Sequence, residues 1–308
     1  MTASHNELQA FRAEVSAWMA ENKPADPGFL LPQTFMEVGS EQQLDFLREW
    51  QHQVWSAGYL GMHWPKEYGG GGVDPVYQHI ADQEMRRHAV PICFNVIGLG
   101  WAGPLINDIG TAAEKAKYLK GILSAEDVWC QGFSEPDHGS DLGNAQTRAV
   151  RDGDEYVING QKIWTTMGNF AKYMILLART NPDAPRKYDG LSFFLSPMDA
   201  PGIETRPIRK ITGEYGFTET FFTDARIPAD SLMGEEGQGW RIAMQTLQYE
   251  RGAEAGNAGG LAMVRVSVDD MIKDMQGLTR DGAPALKDPV VRDQLVAAIM
   301  EEKALSLG

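Results

Sequence analysis

Residues 127–166, DVWCQGFSEPDHGSDLGNAQTRAVRDGDEYVINGQKIWTT, mark a change in the character of the chain. Upstream of them the apolar residues recur at helical spacing. Leu8, Phe11, Val15, Trp18 and Met19 form the stripe of one amphipathic helix, and Leu44, Leu47, Val54 and Trp55 sketch a second. Trp64-Pro65 and Gly69 to Gly72 interrupt the pattern as a loop. Asp74-Pro75 opens another helical run, because proline is tolerated at the first helical position. Thr111 with Glu114 has the capping-box spacing for a run to Leu123. From Asp127 to about Met233 the signals are strand and turn. Asp152-Gly153 and Asn159-Gly160 read as hairpin turns with YVI between them. YMILLA, LSFFL, IETRPI and ETFFT are short runs rich in β-branched and aromatic residues. From Gly239 the pattern is helical again. This order predicts an α+β multidomain chain, not an alternating parallel α/β fold. It comprises an N-terminal helical domain over 1–126, a middle antiparallel β-domain over 127–236 and the start of a C-terminal helical bundle over 237–308. The chain stops at EEKALSLG inside a helical stretch, so the bundle reads as incomplete.

Composition narrows the function classes. Of 308 residues, 43% are hydrophobic and 23% charged, the balance of a folded soluble chain. Acidic residues number 42 against 28 basic ones, a net charge of −14. That balance argues against nucleic acid or an anionic membrane surface as partner. Two cysteines, Cys93 and Cys130, make no disulfide framework, and a reducing, cytoplasmic compartment is expected. The N-terminus lacks the basic-then-apolar layout of a signal peptide, and no apolar run reaches the ~18 residues of a membrane span. The six histidines are scattered without HExxH or paired Cys/His spacing, so no metal site is expected. Gly98 to Gly103, GLGWAG, formally matches GxGxxG. Pro104 follows at once and the next runs are helical, so a helix–helix contact built on small residues is preferred to a dinucleotide loop.

Two segments carry chemistry. Cys130 to Asp141 packs small and polar side chains around one proline and two glycines where the helical and β parts meet. Such a turn presents backbone N–H groups suited to an anionic or carbonyl-rich ligand, although a plain linker would look similar. Asn159 to Thr166 places Trp164 on a strand beside Thr165 and Thr166, a flat apolar face with adjacent hydroxyls that suits an aromatic heterocycle. A core tryptophan is the alternative. A third feature lies on the helix starting near Gln238. Trp240, Ala243, Met244 and Leu247 mark its apolar stripe, yet the next positions on that stripe are Glu250 and Arg251. Charged residues are rarely buried unpaired. Either Glu254 pairs Arg251 at an edge, or Glu250 is an acid facing a cleft. The small residues from Gly252 to Gly260 suggest close approach of a helix or ligand.

Together the motifs resemble the acyl-CoA dehydrogenase family over nearly the whole chain. They are WPKEYGG at 64–70, GFSEPDHGSD at 132–141, INGQKIWTT at 158–166 with YMILLART at 173–180, and FFTDARIPADSLMGEEGQGW at 221–240. The resemblance implies a helical–β–helical fold with FAD at the junction. Gln131, Phe133 and Ser134 would lie along the flavin, with Ser134 at its pyrimidine edge. Gly139 and Ser140 would approach the pyrophosphate, and Ser140 also the substrate's pantetheine. Trp164 would stack on the ring, with Thr165 beside it and Thr166 near the hydride-accepting nitrogen. His138 replaces a small residue of the commonest pattern. The implied reaction is α,β-desaturation of an acyl-CoA, in which a carboxylate removes the α-proton and the β-hydrogen leaves as hydride. In most members that carboxylate lies in a later helix, beyond residue 308. In a minority it precedes the arginine of the present helix, which makes Glu250 the candidate base and Arg251 a candidate substrate contact. The usual Arg-x-x-Phe-Gly loop is absent, and TRDGAPALKDP at 279–289 stands in its region. An electron-transferring flavoprotein as acceptor and a homotetramer or heteromer are also implied. A flavin oxidase or monooxygenase, or a non-catalytic acyl-CoA-binding subunit, are the rival readings.

Overall fold

The computed structural model describes residues 4–252 and 268–307, which fall into two units on either side of the intervening segment. The first unit opens with helices α1 (His5–Asn22), α2 (Glu41–Ser56), α3 (Pro75–Arg87), α4 (Gly103–Ile109) and α5 (Ala112–Ser124). Their ends are written in the sequence. Ser4 and Glu7 form a capping box on α1, Thr111 and Glu114 form the expected one on α5, and Asp74 caps α3 with Pro75 at its first position. Of the predicted stripes, Val15 and Met19 on α1 and Leu44, Leu47 and Val54 on α2 are buried in one core with α5, while Phe11, Trp18 and Trp55 are partly buried against it; Trp50, outside the predicted stripe, is buried there too. The GLGWAG stretch is helical and buried. Residues Ile97–Ala102 form a π-helix that runs directly into α4. A side chain at Gly103 would stand 2.1 Å from the Trp64 ring. The glycine there serves close packing, not a phosphate.

The middle part holds an eight-stranded sheet. Its strands are β1 (Trp129–Gly132), β2 (Arg148–Asp152), β3 (Glu155–Thr166), β4 (Tyr173–Arg179), β5 (Leu191–Pro197), β6 (Ile203–Ile208), β7 (Phe217–Pro228) and β8 (Leu232–Met233). They run in the order β6-β7-β3-β2-β4-β5-β8, with β1 on β4. Pairing is antiparallel along most of the sheet, as expected, but β1 and β2 both meet β4 in parallel. Asp152-Gly153 is a hairpin: Asp152 pairs with Glu155 and Gly153 has φ +62°. Asn159-Gly160 is not. It lies inside β3, where the register against β7 shifts between Ile158 and Gly160. Thr147 comes so close that a side chain at Gly160 would stand 2.6 Å from its hydroxyl oxygen. The Asn159 side chain accepts from the Asp224 N–H and donates to the Asp224 carboxylate, holding the bulge. Helix α6 (Gly239–Gly252) then packs on β4, β5, the π-helix and α4.

A buried polar group joins the helices to the sheet. Asn95, fully buried, donates to the carbonyls of Ile122 and Asp127 and accepts from the Trp129 N–H at the start of β1. Gln51 on α2 accepts from the Asn95 N–H and donates to the Ile122 and Leu123 carbonyls. These bonds satisfy backbone groups at the end of α5 that would otherwise be buried without partners.

The second unit contains α7 (Val268–Met275), a two-stranded hairpin of β9 (Thr279–Arg280) and β10 (Ala283–Pro284), and α8 (Pro289–Leu307). Val268, Val291 and Leu295 form its own small core. Asp281 and Gly282, at φ +52° and +81°, make the hairpin turn within TRDGAPALKDP. Glu254 and the small residues of 253–260 lie outside the described residues.

Asp82 on α3 is almost fully buried, accepting from the Gln78 amide. Burial raises its pKa from 3.8 to about 7, against the smaller opposing pulls of Gln78 and Arg86. A carboxyl raised in the folded state binds its proton more tightly there than in the unfolded chain. Stability from this group is therefore full below 3.8 and declines as pH climbs to about 7. Asp82→Asn keeps the acceptor for Gln78 and removes the charge. It should be more stable than the parent by on the order of a few kcal/mol near pH 8. Denaturant melts should show the gap closing as pH falls toward 4. A gap independent of pH would contradict this account.

Candidate active site

The two signature segments meet at the junction of helices and sheet. Strand β1 lies so close to β4 that a side chain at Gly132 would stand 2.3 Å from the Met174 sulfur. The chain then leaves the strand at Phe133, which is buried edge-on against Phe193. The Ser134 carbonyl accepts the Ile163 N–H at 2.9 Å, so β3 is hydrogen-bonded to the first signature. Glu135 and His138 exchange backbone hydrogen bonds around Pro136-Asp137, which closes a tight turn. Gly139 and Ser140 follow on the surface, and a side chain at Gly139 would meet nothing within 4 Å.

Buried charges hold this loop in place. Lys162, fully buried on β3, donates to Glu135 Oε1 at 2.9 Å and to the Phe133 carbonyl at 3.0 Å. The Glu135 carboxylate also accepts the N–H groups of Gln146 at 2.6 Å and Thr147 at 2.8 Å. Burial alone would raise Glu135, but Lys162 and these N–H donors hold it below the usual carboxylate range. Burial pushes the Lys162 ammonium down, with Glu135 opposing. The Arg179 guanidinium, at the end of β4, donates to the carbonyls of Gly143, Ala145 and Lys187 at 3.0 Å each. None of these three charged residues stands out as a site residue in the sequence. Signals for them existed: Lys162 stands in a strand pattern beside a glycine bulge, and a charge directed inward there needs a partner.

The candidate flavin residues occupy different environments. Trp164 is 56% exposed, with φ +61°, at a second register shift between Lys162 and Thr165. Its indole stands edge-on to Phe217. Left-handed backbone is costly for a bulky residue and persists where the surroundings enforce it, often at functional sites. The alternative of a core tryptophan is thereby set aside. Gln131 lies on β1, with Phe133 and Ser134 on the loop that follows it, and Gln131 Oε1 is buried with no hydrogen-bond donor among the described residues. Thr166 is nearly buried at the end of β3. Thr165 is fully buried, and its hydroxyl oxygen accepts from Thr220 at 3.3 Å. Its hydroxyl therefore belongs to the sheet interior.

Glu250 and Arg251 stand apart from these segments, on α6. Ile242, Ala243 and Thr246 on that helix are fully buried, Glu250 is half-buried and Arg251 is exposed. The last described turn is tied to α4, because Asp108 accepts from Tyr249 at 2.9 Å and from Gln245 at 2.6 Å.

Known proteins share this architecture. Family models for the acyl-CoA dehydrogenase N-terminal, middle and C-terminal domains match residues 5–126, 130–225 and 237–307. Acyl-CoA dehydrogenase IpdE1 of Mycobacterium tuberculosis is 36% identical over 293 residues, covering 95% of this chain and 74% of its own length. The mitochondrial short-chain specific acyl-CoA dehydrogenase of Mus musculus is 34% identical over 237 residues, 75% of this chain and 56% of that protein. Among solved structures, the Tcur3481-Tcur3483 steroid ACAD matches with a TM-score of 0.78 at 35% identity, over 99% of this chain and 75% of that one. The ChsE4-ChsE5 complex from Mycobacterium tuberculosis matches at 0.74 and 26% identity, over 100% and 75%. Three domain models in chain order, laid over helices, sheet and helices in the same order, place this chain in the acyl-CoA dehydrogenase family, enzymes that oxidise acyl-CoA thioesters.

Proposed function

We propose that this chain is an FAD-dependent dehydrogenase that forms the α,β double bond of an acyl-CoA, with Glu250 as the base. The carrying observation is Trp164, an exposed indole on a strained bulge that is hydrogen-bonded, one residue earlier, to the first signature loop. The residues present fit an isoalloxazine. Trp164 offers a stacking face, Gln131 Oε1 an acceptor awaiting a donor, and Gly139 open backbone for a phosphate. Ser134 and Thr166 would hold the ring's polar edge and Ser140 the pyrophosphate and pantetheine. FAD, when bound, supplies the hydride acceptor. The protein's own part is to orient the thioester and to take the α-proton on a Glu250 carboxylate oxygen, with Arg251 beside it as a substrate contact.

Two-component assemblies named among the structural neighbours support a heteromer, with a homotetramer as the alternative, and the steroid ACAD supports polycyclic acyl-CoAs as a substrate class to set beside straight-chain ones. An electron-transferring flavoprotein would reoxidise the enzyme. The test is anaerobic titration of the FAD-loaded protein with straight-chain and steroid acyl-CoAs. Bleaching that persists until an electron acceptor is added supports the dehydrogenase. Rapid reoxidation by oxygen alone would indicate an oxidase. Protein that takes up no FAD would indicate a non-catalytic subunit.

Trp164→Ala should weaken FAD binding about three- to tenfold, matching the ~0.5–1.5 kcal/mol of an aromatic stack. Because the indole is largely exposed, stability should move by no more than about 0.5 kcal/mol. Equal affinity in the two proteins, measured by flavin fluorescence, would remove Trp164 from the site.

A further inference from the structure

We infer that Lys162, set in place by Glu135, is a positioning residue that aims the Ser134 backbone at the flavin. The inference rests on the FAD reading above and assigns a role to a buried pair that the reaction itself does not use. Its basis is the geometry of one peptide. The Phe133 carbonyl accepts from Lys162 Nζ at 3.0 Å, inside the protein. A trans peptide is planar, and its C=O and N–H point in opposite directions. With the carbonyl drawn inward to Lys162, the Ser134 N–H is turned away from it. The next carbonyl, that of Ser134, is fixed by the Ile163 N–H at 2.9 Å. Both flanks of Ser134 are therefore held by consecutive residues of β3, and the residue after Ile163 is Trp164. One short segment of β3 thus sets the polar contact and the stacking face together.

Glu135 makes this arrangement rigid. Its carboxylate takes the Lys162 ammonium and two backbone N–H groups from the returning end of the loop, Gln146 and Thr147. A fully buried lysine needs such a partner to stay charged. The ammonium is shared between two acceptors, one that fixes the charge and one that fixes the peptide. Tyr156 and Ile158, the other buried residues of β3 ahead of the bulge, are apolar or carry only a phenol. A lysine is required at this place only if a donor is needed there.

The test separates aiming from simple stability. Apoprotein of the full chain is titrated with FAD by fluorescence, and thermal melting is followed in parallel. The forms compared are wild type, Lys162→Met, and Glu135→Gln with Lys162→Met. Lys162→Met leaves Glu135 buried and unpaired, so it should lower the melting temperature and weaken FAD at least tenfold. The double variant removes both charges and should recover most of the melting temperature. It still lacks the donor to the Phe133 carbonyl, so its FAD affinity should stay at least tenfold down and its bound-flavin absorption band should be shifted from that of wild type. A double variant that regains both melting temperature and wild-type FAD affinity overturns the inference, because the pair then acts only in folding. Lys162→Met with wild-type affinity overturns it as well. Wild-type protein that takes up no FAD overturns the flavin reading itself, and this inference with it.

Discussion

Exchange of Glu250 for glutamine should slow acyl-CoA-dependent reduction of the bound flavin at least ~100-fold, the usual contribution of a positioned general base. The amide keeps the size of the side chain and its half-buried place on α6 but cannot accept the α-proton. Its backbone should not move, because the neighbouring Tyr249 and the preceding turn's Gln245 both bond Asp108 on α4. Acyl-CoA binding should therefore survive while the rate falls, a split that points to chemistry and not to lost substrate contacts. Stopped-flow reduction under anaerobic conditions reads the rate, and equilibrium titration of a non-reducing thioester reads the binding. Reduction at the wild-type rate would place the base on another residue and leave Glu250 as part of the pocket wall or a partner of Arg251.

Asn95→Leu should destabilise the first unit by about 3–5 kcal/mol. The leucine fills the space but strands the Trp129 N–H and the Asp127 carbonyl, buried groups that each cost about 1–3 kcal/mol without a partner. Gln51 still reaches the Ile122 carbonyl, so that group stays paired. Urea unfolding measures the loss. A change below about 1 kcal/mol would mean that the stranded groups find water or another donor and acceptor.

How much of this was legible beforehand depended on the range of the interaction. Caps and stripes are local, so Thr111 with Glu114, Asp74-Pro75 and the apolar faces of α1 and α2 could be read directly. Asp152-Gly153 was legible for the same reason. Asn159-Gly160 carries an equal local signal, yet tertiary contacts decide it: β7 continues alongside, and Thr147 crowds the glycine. At the site, the motif residues could be named from order and type, including Trp164 and Ser134. Thr165 was grouped with Thr166 because adjacent strand residues look alike in sequence. Both are buried after the register shift, and only a long-range partner, Thr220, shows that the Thr165 hydroxyl is engaged within the sheet. Lys162, Glu135, Arg179 and Asn95 were not legible as supports, since each one's meaning lies in partners far along the chain.

The parallel pairing of β1 with β4 has a consequence for the order of folding. Trp129 lies beside Tyr173, with the first signature, β2 and all of β3 in the intervening chain. The β2–β3 hairpin can close on its own, because its turn is two residues long. The β1–β4 pair must first close a long loop, and that entropy is spent before any contact rewards it. The segment from Phe133 to Thr147 is anchored at one end by β1 and at the other by Arg179 at the end of β4. It therefore cannot take its final shape until β4 has docked beside β1. A chain emerging from the ribosome would carry the helices and the first hairpin well before the segment from Phe133 to Thr147 could settle, and a slow or faltering fold would be felt there.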